Sequence, residues 1–198
     1  MITIVRHGQT RYNLEKITQG QADTPLNETG LKQAEEVAEK LKDMKFDVIY
    51  CSPLQRARQT AEAINKYHNL EIKFDDRLME RDAGRRTHHP YNELTDEEKK
   101  LWHTTPELWG AEKKIDFYNR CLSFYKEIEG SKQSILLVSH GGFYVNIKRY
   151  QTNNLDFTQH VPELNNCGYE ILEDWWKLYQ NKQTAKVASF VAWKTHLV

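Results

Sequence analysis

Ile2-Thr3-Ile4-Val5-Arg6-His7-Gly8-Gln9-Thr10 opens the chain as a short apolar, β-branched run that stops at an arginine, a histidine and a glycine. β-branched side chains fit a pleated, buried surface and glycine lets the backbone turn sharply. The stretch therefore predicts a buried strand that delivers a cation and an imidazole to its carboxyl end. Open α/β sheets place their ligands at that edge. Arginine offers a rigid fork of donors and neutral histidine a nucleophilic nitrogen, a pair suited to holding an anion and attacking it. Taken alone, Arg6 serves equally as a structural ion-pair partner and His7 as a strand-end cap, so the rest of the chain decides.

The same pattern returns far along the chain, in Ser134-Ile135-Leu136-Leu137-Val138-Ser139-His140-Gly141-Gly142. Between the two, helix and strand periods alternate. Leu31, Ala34, Val37, Ala38, Leu41 and Met44 recur at helical spacing and predict an amphipathic helix over about 28–44. Asp47 to Cys51 reads as a strand, and Ser52-Pro53 as the cap and first residue of a helix reaching about His68. Glu71 to Phe74 is a weaker third strand, and a helix is expected over about 112–129 with Ile115, Tyr118, Leu122, Tyr125 and Ile128 inward. Residues 143–150 read as helical. Beyond Pro162, Gly168 to Leu172 and Trp176 to Tyr179 suggest a closing strand pair, and Val187 to Trp193 a further apolar run. This grammar predicts a three-layer α/β/α architecture with a mostly parallel central sheet in one domain spanning 1–198.

Two stretches break the rhythm. Residues 11–27, with Asn13, Gln19-Gly20-Gln21 and Pro25, are too rich in turn formers for a regular element. A connection that long at a strand end is more often functional than idle. Residues 82–112 carry Gly84, Pro90, Trp102, Pro106, Trp109 and Gly110 and read as a helical insertion after the third strand, either a lid or specificity wall or the ordinary packing of a helical subdomain.

The composition narrows the classes. Twenty-eight basic residues balance 28 acidic ones, so no overall field draws in nucleic acid or an anionic membrane, and any anion site is local. Cys51, Cys121 and Cys167 have neither even number nor Cys-x-x-Cys spacing, which argues against a disulfide framework and a structural zinc site and points to a reducing cytoplasm. No signal peptide or bilayer-spanning run is expected. His88-His89 lacks a third ligand at a metal-site spacing and reads as a solvated loop pair.

In a parallel sheet, Arg6, His7, Arg56 and His140 converge on one edge although up to 134 positions separate them. Four potential cations around one point suit a multiply charged oxyanion, and phosphate fits best because a guanidinium grips two of its oxygens. With Arg6-His7-Gly8-Gln9-Thr10 and Asn13, Gln19-Gly20, Pro25-Leu26, Gly30, Gln33-Ala34, Ser52-Pro53-Leu54-Gln55-Arg56-Ala57-Arg58-Gln59-Thr60-Ala61, Leu78-Met79-Glu80-Arg81 and Val138 to Gly142 in that order, the chain resembles the histidine phosphatase superfamily.

The resemblance implies His7 as the nucleophile that becomes phosphohistidine, with Arg6, Arg56 and His140 clamping the phosphoryl oxygens. It implies Glu80 as general acid and then base, and Gly8, Thr10, Asn13, Gln19, Gly20 and Gly141 around the phosphate. No metal and no cofactor are implied, and the partner is a small phosphorylated metabolite. Each residue has a plainer reading: Glu80 sits among alternating charges where a solvated ion pair is ordinary, Asp82 is its nearest rival, and Arg58 points to another helix face than Arg56. Relatives commonly follow the acid with a Gly-x-x-Glu-Gly turn; here only Gly84 survives, and Arg85, Arg86 and His88 follow, either a second anion grip or a basic solvent-facing loop. The expectation is a metal-independent phosphomonoester hydrolase of the histidine acid phosphatase type. The alternatives are a cofactor-dependent phosphoglycerate mutase, and a non-catalytic module that binds phospho-ligands.

Overall fold

The computed structural model describes residues 1–172. Strands β1 (Ile2–Arg6), β2 (Val48–Cys51), β3 (Ile72–Phe74), β4 (Ile135–Ser139) and β5 (Tyr169–Leu172) form one sheet in the order β3-β2-β4-β1-β5. The first four run parallel, and β5 pairs antiparallel with β1. β1 and β4 are direct neighbours with Arg6 opposite Ser139, so the two strands that end in His-Gly leave the same edge side by side.

The helices are α1 (Arg11–Glu15), α2 (Glu28–Leu41), α3 (Gln55–Asn65), α4 (Asp96–Thr104), α5 (Lys114–Ile128) and α6 (Gly141–Gln151). Side chains alternate along a strand, and this alternation splits the core into two. Ile4, Ile135 and Leu137 pack with Phe117 and Phe124 of α5 and Phe143 and Ile147 of α6. Val5, Ile49, Leu136 and Val138 face the other way, onto Val37 and Leu41 of α2 and Ala57 and Ile64 of α3. The result is the expected three-layer α/β/α arrangement. β4 is buried on both faces, which is why its sequence is an unbroken apolar run.

Several local expectations are corrected by side-chain partners. Residues 11–15 do form a helix: Thr10 Oγ1 accepts the Asn13 N–H at 3.1 Å and Asn13 Oδ1 accepts the Thr10 N–H at 3.1 Å, a reciprocal cap that nucleates one turn in a polar loop. α3 begins at Gln55 rather than at Ser52-Pro53. Its Gln55 N–H is met at 2.5 Å by Asp23 Oδ1, while the Ser52 hydroxyl is engaged by His140. α2 ends three residues before Met44, at Leu41. Ile115 lies on the exposed side of α5, whereas Tyr118, Leu122, Tyr125 and Ile128 are buried as expected. The anticipated strand at 176–179 and the run at 187–193 lie outside the described residues.

Residues 82–112 contain α4 and three short 3-10 turns at Gly84–Arg86, Tyr91–Glu93 and Pro106–Trp109. Ala83, Leu94, Trp102 and Ala111 form a core of their own, with the Trp102 and Trp109 rings edge to face at 5.9 Å. Gly84 has φ +52, and a Cβ there would lie 2.3 Å from the Trp109 carbonyl oxygen, so the glycine is required by both conformation and space. No helix among the described residues is long and apolar enough to cross a membrane.

Candidate active site

β1 ends by handing Arg6 and His7 to the loop. The His7 N–H continues the ladder to the Ser139 carbonyl at 3.0 Å, and the Gly8 N–H donates to Thr60 Oγ1 at 3.1 Å. A Cβ on Gly8 would lie 2.6 Å from the Gly30 carbonyl oxygen, so glycine is what lets the turn press against α2. His7 is buried, and its Nδ1 lies 2.7 Å from the Gly8 carbonyl oxygen. That bond assigns the proton to Nδ1 and leaves a lone pair on Nε2. Burial holds the His7 pKa well below its ordinary value, reinforced by Arg56 and Arg6 and opposed by the Gly8 bond, so the ring is neutral at pH 7.

β4 delivers His140 in the same manner. The two imidazole centroids stand 5.1 Å apart, and His140 Nε2 lies 2.8 Å from Ser52 Oγ at the end of β2. Burial first, then Arg56, His7 and Arg6, keep its pKa well below the ordinary value. Arg56, on the first turn of α3, is 1% exposed and reaches back to the carbonyls of Ala22 at 2.7 Å and Gly20 at 2.9 Å. Burial lowers its pKa to about 10 against the pull of Glu80 and Asp23. Three nitrogens in this cluster, Arg6 Nε, Arg56 Nε and His140 Nδ1, are buried without a partner among the described residues. Buried polar groups are ordinarily satisfied, so these nitrogens are free to meet a bound group or water.

Glu80 joins from the stretch after β3. Its Oε2 accepts the Gly142 N–H at 3.1 Å, on the first turn of α6, and its Oε1 accepts the Arg81 N–H at 2.8 Å. The main chain around it is pinned by Arg120, which donates to the carbonyls of Met79 at 2.9 Å and Glu80 at 3.1 Å while pairing with Glu112 at 2.7 Å. Asp82 instead caps the Gly84 N–H at 2.8 Å.

The loop residues bracket the cluster. Thr10 Oγ1 donates to Gln19 Oε1 at 2.8 Å, and Asn13 Oδ1 takes the Thr10 N–H, so both amides anchor through oxygen and keep their NH2 groups as donors. Gly20 turns with φ +51 against Ala83, which aims its carbonyl at Arg56. Gly141 opens α6, and a Cβ on it would meet the Glu163 carboxylate at 2.3 Å and Arg6 Cζ at 3.2 Å. Arg85 and Arg86 donate to the carbonyls of Leu108 and Pro90 in their own stretch, each at 2.7 Å, and His88 Nδ1 lies 2.7 Å from the hydroxyl of Tyr12 in α1. No group of three potential metal ligands exists among the described residues.

The sequence reading missed the segment before β5. Glu163 pairs with Arg6 at 2.9 Å, and the Leu164 carbonyl accepts from the same guanidinium at 2.6 Å. Asn166 Nδ2 donates to the His7 carbonyl at 3.1 Å, and the Cys167 N–H to the carbonyls of Arg6 and His7. The only local signal was the turn-forming run Asn165-Asn166-Cys167-Gly168.

A mostly parallel sheet that gathers two arginines and two buried imidazoles at its carboxyl edge defines an α/β protein with its candidate site at that edge. The chain belongs to the histidine phosphatase superfamily: the family's branch 1 matches residues 2–183. It is 47% identical over 94 residues to the uncharacterized phosphatase PhoE of Bacillus subtilis, a match covering 48% of this chain and 49% of that one, so it spans about half that relative's length. The fructose-2,6-bisphosphatase TIGAR of Xenopus tropicalis is 33% identical over 82% of this chain and 78% of its own. A solved mycobacterial glucosyl-3-phosphoglycerate phosphatase superposes with a TM-score of 0.74 at 25% identity, covering 85% of this chain and 87% of that one.

Proposed function

We propose that this protein is a metal-independent phosphomonoester hydrolase of the histidine acid phosphatase type, acting through a phosphohistidine on His7. The observation that carries the reading is the His7 ring itself, whose Nδ1 is occupied by the Gly8 carbonyl and whose burial keeps Nε2 unprotonated. A neutral, oriented imidazole nitrogen is a ready nucleophile toward phosphorus.

In the first step Nε2 attacks phosphorus, the P–O ester bond breaks, and Glu80 gives its proton to the departing alkoxide. Arg6, Arg56 and His140 take the phosphoryl oxygens, and their nitrogens that have no partner among the described residues supply bonds that the in-line transition state needs. The Asn13 and Gln19 amide NH2 groups close the near side. In the second step water attacks the phosphohistidine, Glu80 takes the proton, the P–N bond breaks and the lone pair returns to Nε2. Glu80 is held for this by the Gly142 N–H, and Glu163 must cede Arg6 to the incoming phosphoryl group. Residues 82–112 form the wall beside Glu80.

The test is a hydrolysis screen over a broad phosphomonoester library in the presence of EDTA, with His7→Asn alongside. The reading expects turnover by the wild type without added metal and none by the variant. Activity that appears only with a catalytic amount of a bisphosphorylated sugar acid makes the protein a mutase. Phosphate or vanadate binding without any hydrolysis makes it a binding module.

A further inference from the structure

A cleft of about 200 Å³ opens beside Glu80, lined by Arg81, Lys114, Phe117, Gly142, Arg149 and Glu163 among others. Two of its lining residues touch the catalytic cluster. Gly142 supplies the N–H that holds Glu80, and Glu163 carries the carboxylate that rests on Arg6.

Three cations face this cleft, and none of them has an ion-pair partner among the described residues. The Arg81 guanidinium lies 4.7 Å over the Trp102 ring and makes one long bond, 3.4 Å, to the Glu112 carbonyl. Lys114 Nζ donates to the Phe157 carbonyl at 3.1 Å, which leaves two of its three donors. Arg149 is buried and spends its two terminal nitrogens on the carbonyls of Asp156 and Gln159, so it contributes chiefly charge. Burial lowers the Lys114 pKa, and Arg81 and then Arg149 lower it further, as expected where like charges face one another.

Two carboxylates border the cleft, and both are already engaged: Glu163 by Arg6, and Glu80 by the N–H groups of Gly142 and Arg81. Pinning the 156–159 loop accounts for Arg149, but not for the spare donors of Arg81 and Lys114. Unpaired, partly buried cations beside a phosphoryl site recognise a second anion on the same molecule.

We propose that this cleft seats a second acidic group of the substrate, so that the favoured substrate is a phosphomonoester that also carries a carboxylate or a further phosphate. Arg81 and Lys114 donate to that group, and Arg149 adds field. The inference rests on the hydrolase reading above, and it moves substrate choice away from Arg85 and Arg86, which bond carbonyls of their own segment, and from His88, which is engaged by Tyr12 of α1.

The experiment compares kcat/KM within two matched pairs. One is 3-phosphoglycerate against glycerol 3-phosphate, which replaces a carboxylate by a carbinol. The other is a hexose 1,6-bisphosphate against its 6-monophosphate. In the wild type at least one acidic member is preferred by about tenfold or more, chiefly through KM, and which pair shows it identifies the second group as carboxylate or phosphate. Lys114→Met keeps the apolar stem and costs the preferred acidic ester about tenfold more than its neutral partner, while Lys114→Arg retains the preference.

Ratios near one for both pairs in the wild type overturn the proposal. So does a Lys114→Met variant that slows acidic and neutral esters alike. Failure of the hydrolase reading looks different: no ester of either pair turns over and no phosphoryl group is trapped on His7, and the inference then falls with it.

Discussion

The two buried imidazoles make the stability of this protein depend on pH in a way that can be calculated. His7 and His140 are fully enclosed, and each has its pKa held well below the ordinary histidine value, mainly by burial and then by the Arg56 charge. In the unfolded chain both titrate near their ordinary value of 6.5. Between pH 7.5 and 5.5 the unfolded state therefore gains protons that the folded state refuses, and stability falls as pH falls through the unfolded pKa. A histidine that stays neutral when folded forfeits about 1.4 kcal/mol over that interval, and the pair about 3 kcal/mol. His68 and His103 also lie below the ordinary value through partial burial and contribute in the same sense. A comparison with His7→Asn cancels their share. Urea denaturation of wild type and variant at pH 7.5 and 5.5 measures the difference directly, and the variant is expected to lose about 1.4 kcal/mol less than the wild type on acidification. Equal losses would mean that folded His7 takes up its proton over the same pH range as the unfolded chain, and the burial-depressed imidazole would be refuted. Vanadate, as an anion that favours charged imidazoles, should recover part of the wild-type loss at pH 5.5.

Three further outcomes follow from the geometry. Gly142→Ala places a Cβ 2.3 Å from Glu80 Oε1 and 2.9 Å from the Phe117 ring, so the carboxylate must move; kcat should fall about 100-fold with little change in KM, and an unchanged kcat would remove Glu80 from the proton path. Glu80→Gln should lower kcat/KM for an alkyl phosphate by roughly 100- to 10,000-fold and for p-nitrophenyl phosphate much less, because the aryl leaving group departs without a proton; equal losses on both esters would contradict the acid role. Glu163→Gln removes the half-exposed carboxylate that competes for Arg6, and KM for phosphomonoesters should fall by about two- to fivefold, as a pair of this exposure is worth at most about 1 kcal/mol. A raised KM would instead make Glu163 part of substrate binding.

The parts legible from sequence were those whose signal is local. The apolar runs ending at Arg6, Cys51 and Ser139 announce buried parallel strands, and that alone brings His7, Arg56 and His140 to one edge. What escaped is set by partners remote in the chain. Asp23 caps α3 across 32 residues at Gln55, and the Ser52 hydroxyl meets His140 instead of opening the helix. Asn13 stabilises α1 through its side chain, a contact that turn-rich composition conceals. Arg120 fixes Glu80 from about 40 positions away, and Asn166 and Glu163 reach β1 across nearly the whole fold. Ile115 follows the apolar period of α5 and yet faces outward, because the period fixes spacing while packing fixes which end of the stripe is covered.

The account stands on His7 as the phosphorylated group. Rapid acid-free quenching of the enzyme with 32P-labelled substrate, followed by peptide mapping, reads this directly. The expected result is an acid-labile, base-stable label on the peptide holding His7, formed faster than product is released and absent from His7→Asn. A label on any other residue, or turnover by a wild type that never carries one, would contradict it.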